Sequence, residues 1–180
     1  MSKSKLPMNL PNRITLARVA LLPVYFVLLS LNPGARNWPA ALVFAIAAIS
    51  DFVDGSIARK RGLVTDFGKF MDPIADKLLV LLPFIYLLPS GGPLDVWAVL
   101  IMVARELVVS GFRLVAAGKK VVIAADWSGK IKTIAQMIAV LLLTLGFAWG
   151  WPVAWGAAFL SAFSGAEILI RNRRVLEEGP

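Results

Sequence analysis

Five of the eleven acidic residues of this 180-residue chain fall between positions 51 and 76. Asp51-Phe-Val-Asp54-Gly55-Ser-Ile-Ala58-Arg59 closes one apolar run. At helical pitch Asp51, Asp54, Gly55 and Ala58 share an arc of about 100°, with Arg59 at its edge. Two carboxylates therefore lie beside two of the smallest side chains, where a ligand or a second helix can approach the backbone closely. Gly68-Lys-Phe-Met-Asp72-Pro-Ile-Ala-Asp76 opens the next run, with Gly68, Asp72 and Asp76 spaced i, i+4, i+8. A short connection makes the two helices antiparallel neighbours, so all four carboxylates are expected to meet.

A carboxylate inside an apolar helix is costly. Four of them, simply summed, cost on the order of 10–14 kcal/mol on insertion scales, less near the interface and more through mutual repulsion. Cations must compensate. The chain has no cysteine and no histidine, so a metal would be held by oxygen and a general base is expected among carboxylates and lysines. All-oxygen ligation suits Mg²⁺, Mn²⁺ or Ca²⁺ rather than zinc. Two divalent ions would balance the four charges, and a pair about 3.5–4 Å apart is the arrangement of two-metal phosphoryl transfer. Taken singly, the aspartates have plainer explanations. Asp72 before Pro73 fits a helix N-cap, and Asp51 and Asp54 can pair with Arg59 and Lys60. Those explanations do not account for two matched stripes.

The elements that would carry these residues are long and apolar. Hydrophobic residues make up 58% of the chain and its mean hydropathy is +0.75, above the balance of a soluble domain. Six runs approach the length that a bilayer requires: 14–31, 38–58, 74–88, 94–117, 131–149 and 152–170. The expected fold is an all-α membrane protein with six transmembrane helices in a single domain, 1–180. No repeat or low-complexity linker divides it. The segment 20–31 is short and follows basic residues, as in a signal peptide. Arg18 interrupts the run, however, and no small-x-small cleavage site follows before Trp38, so the segment is expected to stay as the first helix.

Lys3, Lys5 and Arg13 precede the first run; Arg59, Lys60, Arg61 and Lys69 lie between the second and third. Lys119, Lys120, Lys130 and Lys132 lie between the fourth and fifth, and Arg171, Arg173 and Arg174 follow the sixth. The alternate loops hold only Arg36. Under the positive-inside rule both termini, and the aspartate cluster, face the cytoplasm. The net charge of +8 thus reflects topology and attraction to anionic lipid headgroups. Its spread over four segments argues against nucleic-acid binding. The six tryptophans fit interfacial anchors.

Read as one pattern, D-x2-D-G-x2-A-R-x8-G-x3-D-x3-D runs from Asp51 to Asp76. It resembles, without departure, the signature of the CDP-alcohol phosphatidyltransferase family. The resemblance implies six transmembrane helices, a homodimer and a cytidine-diphosphate lipid bound between helices two and three. It implies two divalent ions, Mg²⁺ or Mn²⁺, on Asp51, Asp54, Asp72 and Asp76, with Asp76 also the general base. It places Gly55, Ala58, Arg59 and Gly68 along the cytidine and diphosphate pocket. Metals and Arg59 are suited to stabilise charge on a leaving CMP, and a nearby carboxylate can take the proton of an attacking hydroxyl. Spacing alone does not choose Asp76 over Asp72.

Other stretches resemble the phosphatidylglycerophosphate synthase branch of that family: 9–18, 66–77, Arg105-Glu106, Gly111-Phe-Arg113 and 129–133. They imply CDP-diacylglycerol as donor, glycerol 3-phosphate as acceptor and the bacterial cytoplasmic membrane as location. A phosphorylated acceptor needs cations. Arg105 and Arg113 lie about 80° apart on one helix, and Lys130 and Lys132 follow Gly129, where free N–H groups also favour an anion. The lysines equally satisfy the positive-inside rule, and Arg105 has Glu106 as an alternative partner or can snorkel. Asn12, Thr15 and Arg18, three residues apart, make a polar stripe; Arg18 fits either a substrate contact or snorkelling. The small residues within 156–165 suit close helix packing without locating a dimer interface. Serine, inositol, inositol phosphate or a second glycerolipid are alternative acceptors. A cation transporter is a reading of another class; it would bind near the midplane and often show internal repeats, and a catalytically inactive family member is a third.

Overall fold

The computed structural model describes residues 10–32, 36–61, 66–92, 95–119, 121, 123 and 127–177, without the side chains of 10, 11, 51–61, 66, 67, 69, 176 and 177. The described residues form helices and no strands: α1 (Leu10–Leu31), α2 (Trp38–Arg61), α3 (Asp66–Leu87), α4 (Asp95–Gly118), α5 (Trp127–Thr144), α6 (Gly150–Arg171) and the single turn α7 (Arg174–Glu177). Each of the six long helices falls on one of the apolar runs. The main departure is α3, which begins at Asp66, so Asp72 lies inside the helix and is not its N-cap. Pro73 removes a backbone donor there without ending the helix.

Two compact units are distinguished, one through Tyr86 with Thr144–Phe147, the other Leu87–Leu143 with the chain from Ala148. In the first, α1 packs on α2. The buried positions of α1 are Asn12, Thr15, Arg18, Leu22, Tyr25 and Leu29, a three–four spacing that keeps one face inward. That face is polar in its first half and apolar in its second. On α3 the apolar part of the same stripe is Ala75, Leu79 and Pro83, all buried, and Asp72 and Asp76 begin it. Tyr25 stacks edge-on to Phe26 and tilted to Phe44, and its hydroxyl shares a 2.8 Å hydrogen bond with Thr144.

The buried side chain of Asn37 ties the end of α1 to the start of α2. Asn37 accepts from the Ala40 amide at 3.0 Å and donates to the Leu28 carbonyl at 2.7 Å. It thus satisfies one unpaired donor at the start of α2 and one unpaired acceptor at the end of α1.

In the second unit α4 packs on α6. The buried face of α6 is Gly150, Ala154, Ala157, Ala158, Ser161, Ser164, Gly165 and Ile168, small residues that admit a close neighbour. Val109, Phe112 and Ala116 of α4 join Ile168 and Val175 in one apolar cluster. At the other end of α4, Asp95 accepts from the Gly92 amide at 2.7 Å and from the Trp155 indole at 3.0 Å.

Polarity is distributed in the sense opposite to that of a soluble protein. Arg18, Glu106, Lys132 and Gln136 are buried, while Leu107, Leu114, Phe159, Phe163 and Ile170 are exposed. Exposed apolar surface on this scale belongs in contact with lipid or protein. Among the described residues, two helices are long and apolar enough to cross a membrane, at Asn12–Leu31 and Gly150–Arg171. The charges of α4, Asp95, Arg105, Glu106 and Arg113, interrupt an otherwise comparable run.

Replacing Asn37 by alanine strands both groups that it satisfies. Thermal unfolding in detergent is expected to show a loss of about 1–2 kcal/mol. Ser30→Ala, at an exposed hydrogen bond to Tyr86, should leave the transition nearly unmoved.

Candidate functional site

The polar half of α1 meets the acidic half of α3. Thr15 donates to Asp72 Oδ1 at 2.8 Å, and Arg18 Nη1 donates to Asp76 Oδ1 at 2.8 Å. Arg18 is 1% exposed, whereas the Asp76 side chain is 48% exposed. The arginine therefore does not snorkel; its charge is balanced inside the fold by the carboxylate that it orients. Asn12 completes the stripe and is buried. Two of the four pattern aspartates are thus fixed from behind by α1 and open to solvent in front.

Asp51, Asp54, Gly55, Ala58 and Arg59 lie in the last three turns of α2, and their side chains are outside the described residues. Gly68, in the first turn of α3, is buried. Asp72 and Asp76 supply hard oxygen donors one helical turn apart. With no cysteine or histidine in the chain, that donor chemistry fits Mg²⁺ or Mn²⁺. No group of three or more potential ligands converges among the described residues, which do not include the Asp51 and Asp54 side chains.

The four basic residues expected at the acceptor site, all in the second unit, sort into three situations. Arg105 donates through Nη1 to Glu106 Oε1 at 2.9 Å and through Nη2 to Ser164 Oγ at 3.1 Å. Lys132 is buried and pairs with the same Glu106 oxygen. Lys130 is exposed and lies 5.0 Å from the centre of the Trp127 ring, a cation–π contact. Arg113 is half-buried, and its Nε is buried with no hydrogen-bond partner. Gly129 lies in the first turn of α5.

Sequence reasoning saw Glu106 only as a neighbour of Arg105, because sequence adjacency hides the lysine 26 positions away. Ser164 and Gln136 escaped notice altogether. The one available signal was a glutamate inside an apolar run, which demands a cation. Gly165 is explained by the same cluster. A Cβ there would sit 2.8 Å from Arg105 Cγ and 3.4 Å from its Nε.

Helical architecture, a carboxylate pair fixed on α3 and a buried basic cluster agree with a wider relationship. Residues 8–163 match the family model of the CDP-alcohol phosphatidyltransferases, and the chain belongs to that family. Among its relatives is a protein of Bacillus subtilis (strain 168) named CDP-diacylglycerol–glycerol-3-phosphate 3-phosphatidyltransferase. It is 41% identical, over 94% of this chain and 97% of its own length. Proteins of the same name from Rickettsia bellii (strain RML369-C) and Escherichia coli (strain K12) are 42% and 38% identical. These cover 89% and 75% of this chain, and 93% and 76% of their own lengths.

Gly165→Ala is expected to push Arg105 off Ser164 and to cost about 1–3 kcal/mol in thermal unfolding. Gly156→Ala, where a Cβ meets nothing within 4 Å, should be neutral or slightly stabilising.

Proposed function

We propose that this chain transfers the phosphatidyl group of CDP-diacylglycerol to sn-glycerol 3-phosphate, giving phosphatidylglycerol phosphate and CMP. The observation that carries the reading is the pair Asp72 and Asp76, each fixed by a hydrogen bond from a buried residue of α1 within the family's aspartate pattern. The names of the relatives support the donor and acceptor.

In the proposed reaction a hydroxyl oxygen of the acceptor attacks the phosphorus that bears the diacylglycerol. A new P–O bond forms, the bond to the bridging diphosphate oxygen breaks, and CMP leaves with that electron pair. The hydroxyl proton passes to the carboxylate of Asp76. Arg18 holds that carboxylate in one orientation, which keeps the base from turning away as the proton moves. Asp51, Asp54, Asp72 and Asp76 would hold two divalent cations, Mg²⁺ or Mn²⁺, which when bound offset charge on the diphosphate. Arg59, Gly55, Ala58 and Gly68 are assigned to the cytidine and diphosphate, the glycines and alanine leaving the backbone accessible.

For the acceptor phosphate, Arg113 is the cation with the least to hold it elsewhere, and Arg105, Lys130 and Lys132 are assigned with it. Inositol would give such a cluster no anion to bind, and serine only a singly charged carboxylate beside its own ammonium group.

The proposed setting is the bacterial cytoplasmic membrane, with six spanning helices, both termini and the reaction on the cytoplasmic side. The six long helices have 18 to 24 residues, about 27–36 Å each, which suits a hydrocarbon core of about 30 Å. Apolar side chains on their outer faces support the same setting, as does the segregation of basic residues. Family membership supports a homodimer.

Purified protein given CDP-diacylglycerol and a panel of alcohols should release CMP with glycerol 3-phosphate. Release with serine but not glycerol 3-phosphate would overturn the acceptor assignment. Asp76→Asn is expected to lower turnover at least 10³-fold, on the order of removing both proton transfer and a metal ligand. Binding of CDP-diacylglycerol should largely survive.

A further inference from the structure

Glu106 is buried between two cations that share one of its oxygens, Arg105 from its own helix and Lys132 from α5. Arg105 and Arg113 both lie close enough to Lys132 to repel it. Two cations thus share the carboxylate, and Arg113 lies within electrostatic reach of one of them, Lys132; the three cations and one carboxylate leave an excess of two positive charges. Two of these cations keep an unpaired donor, since Arg105 Nε and Arg113 Nε are buried without a hydrogen bond. On the same helices as Lys132 and Ser164, Gln136 Nε2 one turn after the lysine and Ser161 Oγ one turn before the serine are likewise buried without one. A buried polar atom without a partner is costly, and unpaired donors beside excess positive charge are the surroundings that an anion satisfies.

We propose that Glu106 is the positioning residue of the acceptor-phosphate site, which sets both the aim and the charge of its cations. This rests on the reading that the cluster receives the phosphate of the acceptor. By pairing with Arg105 and Lys132 at one oxygen, Glu106 holds side chains of two helices in a fixed relation. Ser164 fixes Arg105 from the other side, itself donating to the Ser161 carbonyl at 3.1 Å. Gly165 leaves room for the arginine stem. The remaining charge of two matches a phosphomonoester dianion, and an unphosphorylated alcohol would leave it unbalanced. Glu106 therefore favours phosphorylated acceptors without touching them.

The test uses the full-length protein in detergent, with glycerol 3-phosphate and CDP-diacylglycerol varied separately. Glu106→Gln keeps the shape and removes the charge. It is expected to raise KM for glycerol 3-phosphate about tenfold or more, while KM for CDP-diacylglycerol stays within about twofold. Glu106→Asp should recover part of the loss, because the ion pairs persist at shorter reach. Should Glu106→Gln fail to fold, Glu106→Gln with Lys132→Met removes both buried charges together and is compared with Lys132→Met alone; it is expected to melt near the parent protein and to show a higher KM for glycerol 3-phosphate than Lys132→Met. An unchanged KM for glycerol 3-phosphate in the folded single variant overturns the proposal, as does a double variant no worse than Lys132→Met or an equal rise in both KM values. Arg113→Ala separates the two levels of inference. A raised KM there with none at Glu106 leaves the acceptor site standing and removes the role of Glu106. No change at Arg113 removes the acceptor site and the proposal with it.

Discussion

A charge buried in an apolar helix bundle must find its counter-charge inside the fold, and the Arg18–Asp76 pair is where that constraint has most effect. Arg18 stands in the apolar run of α1, 1% exposed, with no water to solvate it. Desolvating an unpaired guanidinium would cost several kcal/mol, so α1 is held in the rotation and height that deliver it to α3. Thr15 follows one turn earlier and reaches Asp72 by the same geometry. Once those contacts are made, the apolar halves of the two inward stripes bury Leu22, Tyr25 and Leu29 on one helix and Ala75, Leu79 and Pro83 on the other. Site and core are thus two ends of the same helical faces.

The second unit obeys the same constraint with the signs exchanged. Glu106 is the carboxylate that needs compensation, and Arg105 and Lys132 provide it from two helices. Breaking such a group by removing one member is far more disruptive than replacing the whole by apolar residues. Its retention in an apolar unit is therefore difficult to attribute to stability. The surplus of cations and the buried donors left without partners point instead to a ligand. Close packing of α4 on the small-residue face of α6 lets Ser164 reach Arg105 across the interface.

Both clusters show why an apolar exterior and a polar interior belong together. Outward positions of the helices carry Leu107, Leu114, Phe159 and Phe163, which lose nothing in lipid. The inward positions can then carry charge, because each charge is surrounded by protein dipoles and counter-ions rather than by hydrocarbon. Proteins of this design concentrate their chemistry on inward faces and leave the outside to the solvent, here the bilayer.

Composition and periodicity by themselves determined that the chain is helical, where the six long helices fall, and that aspartates on the second and third are chemically exceptional. Those features are local: a run of apolar residues and an i, i+4 spacing are written along the chain, and hydrophobic transfer decides the rest. Helix ends were less legible. α3 begins eight residues before the apolar run that announced it, because polar residues extend a helix without marking it, and Asp72 consequently became an interior residue. Only the tertiary structure decided which partner each charge takes. Arg18 had two equal readings until α3 supplied Asp76, 58 residues away. For Arg105 the neighbouring Glu106 was one partner among the alternatives, and nothing in the sequence joined Lys132 to the same carboxylate. Electrostatic pairing depends on distance in space, and nothing in a sequence fixes the distance between residues on different helices.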